Sequence, residues 1–144
     1  MPLVSLGFVK LVTIYVQKRF PSEEYKTAIK PMVELALTLS QQVGADPVVC
    51  VTASLLHRVA HGVTGPHRAN LVTPILRESG FNGEMINRIN ECIFTLLPDC
   101  LGKRGSVEER VVADAYLLTY RGEIHPSESM FELQESKILF LGLS

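Results

Sequence analysis

Apolar residues recur at helical spacing along nearly the whole chain, and helix start and stop signals punctuate them. Phe8, Leu11, Val12 and Tyr15 follow the i, i+3, i+4, i+7 rule of a one-sided helix. Pro21-Ser22 interrupts that run, with Ser22 as an N-cap and Glu23 and Glu24 in the favourable first turn. The next helix is predicted to reach Val43, with Met32, Leu35, Ala36 and Leu39 on one face and a kink at Pro31, which lacks a backbone donor. Gly44 is its natural stop. Asp46-Pro47 opens a third helix, an acidic N-cap followed by proline at the first position. It carries Val51, Leu55 and Val59 toward a core and delivers His57 and Arg58 near its end.

The same grammar continues downstream. Residues 62–66 read as a loop. A helix from Arg68 to Ser79 follows, bent or restarted at Pro74. Asn82 caps another, with Met85, Ile86, Ile89 and Ile93 as its stripe. Residues 98–105 form a second loop. Ser106-Val107-Glu108-Glu109 is a capping box that opens a helix to Tyr120. In the tail, residues 131–139 suit a short helix and residues 138–143 suit a strand equally well. The predicted fold is all-α: a compact bundle of about six helices in a single domain. An N-terminal helix over residues 1–20 and a tail over residues 123–144 are expected to pack on it.

Composition narrows the function classes. A formal net charge of −1 supplies no broad basic face, so no nucleic-acid partner is expected. The apolar stretch from Leu3 to Val16 is interrupted by Lys10 and is too short to span a bilayer, and it has neither a charged n-region nor a cleavage site. No membrane partner and no signal peptide are expected. Cys50, Cys92 and Cys100 form no CxxC pair, which suits a reducing, cytoplasmic setting. Cys50 and Cys92 sit in apolar helical patterns and are expected to be buried and inert.

Chemistry concentrates around Ser54-Leu55-Leu56-His57-Arg58-Val59-Ala60-His61. Three of the four histidines, His57, His61 and His67, fall within eleven residues. His57 and His61 share a face if the helix extends that far. Imidazole is the commonest protein ligand for transition metals. Asp114 lies in an apolar helix, where a carboxylate is costly to bury unless paired or ligated. His125 sits in a turn. Gly102-Lys103-Arg104-Gly105 lacks the spacing of a phosphate-binding loop, and Glu108 and Glu109 are helix-start charges.

Four stretches resemble the HD-domain superfamily of metal-dependent phosphohydrolases: Glu34-Leu35-Ala36-Leu37, Gly44-Ala45-Asp46-Pro47, Ala53-Ser54-Leu55-Leu56-His57 and Val112-Ala113-Asp114-Ala115-Tyr116. They occur in the family's order between about Phe8 and Tyr120. The resemblance implies a helical bundle in which an initial histidine, a His-Asp pair, further histidines and a late aspartate surround one or two cations. Carried onto this chain, the initial histidine falls at Ala28, the pair is His57 with Arg58, a downstream histidine is His67, the next falls near Leu96, and the late aspartate is Asp114. His57, His67 and Asp114 match the implied metal ligands; Ala28, Arg58 and Leu96 do not.

Arg58 is the decisive departure. A guanidinium has no lone pair to donate and is permanently charged. A cation about 4 Å from it meets several kcal/mol of repulsion at intermediate dielectric. The expected function is therefore that of a degenerate HD-domain protein without hydrolase activity, in a regulatory or protein-interaction role, with a homodimer as one arrangement. No cofactor is expected; a retained site implies a divalent metal (manganese, nickel, magnesium or iron) on His57, His67 and Asp114, and a divergent phosphohydrolase. A third reading is a metal-free binder of a phosphorylated small ligand, in which Arg58, with His57, His61 and His67, clamps the phosphate. Pairing of Arg58 with Asp114 in a structural ion pair, or its extension to solvent, is the plainer expectation.

Overall fold

The computed structural model describes residues 2–59, 65–97 and 105–120. His61, Cys100, Lys103, Arg104, His125 and the tail lie outside them. The described residues are helical: α1 (Pro2–Arg19), α2 (Ser22–Glu24), a π-helical turn (Tyr25–Ile29), α3 (Lys30–Val43), α4 (Pro47–Leu56), α5 (Gly65–Ser79), α6 (Gly83–Phe94) and α7 (Val107–Thr119). With residues 22–43 taken as one run, the described residues form six helices, the all-α bundle that the periodicity predicts.

The organising element is α4. Seven of its ten residues are buried, from Val49 through Leu56 with Val51 excepted. It packs against α1, α3, α6 and α7. A helix apolar on every side has to lie inside a protein. Its start is held as the sequence implies: Asp46 Oδ1 accepts from the Val48 amide at 3.0 Å, and Pro47 occupies the first turn. Asp46 also anchors neighbouring helices. Its amide donates to Glu108 Oε2 of α7 at 2.9 Å, and Arg88 of α6 reaches Asp46 Oδ2 at 3.3 Å and Glu108 Oε1 at 3.7 Å. Glu108 is thus more than a helix-start charge, since it ties three helices together.

The capping signals elsewhere hold with small shifts. Asn82 accepts from the Met85 amide, and Ser106 from the Glu109 amide at 3.1 Å, with the Glu109 carboxylate returning to Gly105 N and Ser106 Oγ. Pro21, not Ser22, is the N-cap of α2, and no side chain caps it. The interruption expected at Pro31 takes the form of the π turn just before it. There the Lys30 amide bonds Tyr25 O, five residues back. The extra residue relieves the clash that a proline ring makes with the carbonyl four residues earlier. Helix α5 begins at Gly65, earlier than predicted, and contains Pro74.

One stripe is rotated. On α1, Val12 and Val16 are buried and Phe8 and Val9 pack beside them, whereas Leu11 and Tyr15 are 51% and 37% exposed. A helix with apolar residues nearly all round has no polar side to fix its rotation, so its packing partners α4 and α5 decide it. Leu6 and Ile14 are also exposed. No helix among the described residues is long and apolar enough to cross a membrane.

Two glycines differ instructively. Gly44 ends α3 at φ 74°, and a Cβ there meets open space. Gly80 has φ 113°, and a Cβ would lie 2.5 Å from Phe8 Cε1, on a ring already packed edge-on against Phe81. Gly44→Ala is expected to cost about 1 kcal/mol from backbone strain. Gly80→Ala adds overpacking and is expected to cost at least about 1 kcal/mol more in urea denaturation.

Cys50 and Cys92 are buried free thiols, as expected. Burial, reinforced by Glu108 and Asp46, pushes the Cys50 thiol up to about 12. Burial likewise raises Cys92, with Cys50 itself and then Glu109 and Glu108 adding to the effect. The unfolded chain therefore loses these protons at lower pH than the folded one. Their contribution is complete below the ordinary thiol range and declines as pH rises toward the folded values. Denaturation of a Cys100→Ser variant across alkaline pH should show falling stability, and replacing Cys50 and Cys92 by alanine should flatten the slope.

Candidate functional site

The end of α4 builds the site. The last carbonyls of a helix have no partner within it. His57, the C-cap, turns its ring back so that Nδ1 lies 2.6 Å from Ser54 O. A carbonyl oxygen only accepts, so in the neutral ring Nδ1 carries the proton and Nε2 presents a lone pair. Nε2 lies 2.7 Å from the Tyr120 hydroxyl, which therefore donates to it. The ring is 4% exposed. Tyr116 and Tyr120, one turn apart near the end of α7, enclose it edge-on at centroid distances of 6.1 and 5.7 Å.

This geometry bears on metal binding. A metal-ligating histidine commonly donates its other ring N–H to a backbone carbonyl, which fixes its tautomer. His57 is oriented in that manner, and its Nε2 lone pair accepts from the Tyr120 hydroxyl. His67 is exposed at the start of α5, and Asp114 is 1% exposed within α7. Among the described residues, which include His57, His67 and Asp114, no three His, Cys, Asp or Glu side chains gather in a way that could hold a metal ion. The described residues do not fit a metal centre. Leu96, where the family pattern has a histidine, is a core residue.

Arg58 follows His57 and points to a cleft of about 590 Å³ lined by Pro21, Glu23, Glu24, Thr27, Ala28, Arg58, Thr119 and Tyr120. Its Nε donates to Glu24 Oε2 at 3.1 Å, and its guanidinium carbon stands 5.9 Å from the centre of the Tyr120 ring. The carboxylate that Arg58 meets is thus Glu24, not the Asp114 of the sequence expectation. Arg58 comes from the turn after α4, which directs it outward to the start of α2, whereas Asp114 faces the interior. Burial alone would lower the Arg58 pKa, but Tyr120 and Glu24 outweigh it and hold the guanidinium above the ordinary arginine range. The pair is about one-quarter to one-third exposed, so its worth is closer to that of a surface ion pair than a buried one.

The structure therefore unites Ala28, Arg58 and His57: two line the cleft, and the third lies behind Tyr120. It leaves His67 out. Sequence reading missed Glu24, Tyr120 and the hydroxyls of Thr27 and Thr119. A signal existed for one of them, because Tyr116 and Tyr120 are spaced i, i+4 on the helix that carries Asp114. Nothing local distinguishes Glu24 from any first-turn acid.

The hydrogen-bond order Tyr120 O–H to Nε2 and Nδ1–H to Ser54 O predicts the less common Nδ1–H tautomer of His57. Nitrogen-15 spectra recorded well above the ordinary histidine range should show Nδ1 protonated and Nε2 bare; a protonated Nε2 would contradict this arrangement. Tyr120→Phe removes the donor from a buried acceptor and is expected to lower stability by about 1–3 kcal/mol.

No family model matches the chain, and neither a curated protein nor a solved structure does.

Proposed function

We propose that this chain is a degenerate HD-like domain without hydrolase activity, acting through what it binds at the cleft around Arg58 in a regulatory role. The observation that carries this reading is the 2.7 Å bond between the Tyr120 hydroxyl and His57 Nε2. It occupies the lone pair that a metal would need. The neighbouring Arg58 supports the same reading, since its guanidinium, paired with Glu24, stands over the ring of the Tyr120 that bonds Nε2. Ala28, the position of the family's first histidine, lines the same cleft and offers only a methyl group.

Binding rather than hydrolysis suits the cleft's composition. Its volume falls in the range of small-molecule sites. Arg58 supplies a planar donor for an oxyanion, the group through which a small ligand would engage the cleft. The exposed Leu6, Leu11, Ile14 and Tyr15 of α1 support a homodimer as the setting for such a role, and light scattering across a concentration series tests it.

The test of the central proposal is metal affinity. Wild-type protein dialysed against manganese, nickel, magnesium or iron(II) should retain no stoichiometric metal and should not hydrolyse generic phosphomonoester or phosphodiester substrates. The combined variant Ala28→His, Arg58→Asp, Tyr120→Phe restores two ligands and uncovers Nε2, and it is expected to bind divalent metal measurably more tightly. Stoichiometric metal on the wild type, with metal-dependent turnover, would overturn the proposal.

A further inference from the structure

The charges and hydrogen-bond capacities around the cleft specify its ligand more closely than the presence of Arg58 does. Glu23 and Glu24 bring two carboxylates and Arg58 one guanidinium, so the described residues of the lining carry a formal charge of −1. The threonine hydroxyls are already committed as donors. Thr27 Oγ1 donates to Glu23 O at 2.9 Å, and Thr119 Oγ1 donates to Ala115 O at 2.8 Å. A hydroxyl that has spent its proton offers only lone pairs. The side-chain groups of the wall are therefore mostly acceptors, with Arg58 as its cationic donor.

A phosphate monoester fits this balance poorly. It brings nearly two negative charges to a lining whose described residues are already net negative and include one cation. A ligand that carries an ammonium as well as a carboxylate adds no net charge. Its ammonium supplies three donors to the side-chain acceptors of Glu23, Glu24, Thr27 and Thr119, and its carboxylate suits the planar fork of Arg58. Glu24 bonds Arg58 through Oε2 and lines the cleft together with Glu23, so an ammonium entering beside a carboxylate on Arg58 has both acids within the same lining.

We propose that the cleft binds a small zwitterion of the α-amino acid class. The carboxylate engages Arg58, and the ammonium engages Glu23 and Glu24. The side chain extends into the remaining space beside Ala28 and Pro21. This assignment rests on the cleft's being a binding site rather than a reaction centre, as proposed above.

Calorimetric titration of the full chain with each of the twenty common L-amino acids tests it. Putrescine serves as an amine-only control, acetate and succinate as acid-only controls, and inorganic phosphate as the competing chemistry. At least one amino acid is expected to bind, with every control weaker by about tenfold or more, the size of one charge-assisted contact. Glu23→Gln, at an exposed helix start, is expected to weaken that binding about tenfold without disturbing the fold, and Arg58→Gln to weaken it at least as much. Failure of all twenty to bind, phosphate or an acid binding as tightly as any amino acid, or unchanged affinity in Glu23→Gln would overturn the proposal. None of these results bears on metal content or hydrolysis, so the two proposals fail separately.

Discussion

The burial of α4 is the constraint from which the rest of the structure follows. A ten-residue helix with apolar side chains on nearly every side is stable in water only when other helices surround it. α1, α3, α6 and α7 supply that surround, and Asp46, Arg88 and Glu108 hold the N-terminal ends of α4 and α7 together with α6. A buried helix has an end to satisfy as well as sides. His57 satisfies it by folding its ring onto Ser54 O, and that single bond decides which ring nitrogen faces Tyr120. Local helix-capping chemistry thereby sets the electronic character of the site.

From there the site is a contest for one lone pair. Nε2 has the orientation of a ligand and meets a phenol. The phenol is fixed because Tyr120 caps α7, so the two helix ends close on one another: the end of α4 supplies the acceptor and the end of α7 the donor. Arg58 has no place in that interior contact and turns outward to Glu24 and the cleft. Its charge would oppose an ion nearby, and its exposure leaves it open to an anionic group from solution.

The π turn at Tyr25–Ile29 connects the fold to the cleft. Pro31 removes a helical donor, and the chain accommodates it with a residue of slack just where Thr27 and Ala28 form the wall. A regular helix through this region would rotate everything before it by about 100° relative to α3, since each residue turns a helix by that amount. Glu24 would then no longer face Arg58. A backbone irregularity that reads in sequence as a kink thus sets the register of two charged groups.

Sequence alone determined the helices and most of their ends, because capping and hydrophobic spacing are local. Asp46, Asn82, Ser106 and Gly44 act where they stand, whatever lies across the bundle. It also placed His57 and Arg58 at the end of an apolar helix. Tertiary structure alone decided the rotation of α1, the pairing of Arg58 with Glu24 rather than Asp114, and the meeting of His57 with Tyr120, 63 residues apart. Those outcomes depend on which faces of separate helices come together. That is a property of side-chain volumes and crossing geometry summed over the whole core, and no window of sequence contains it.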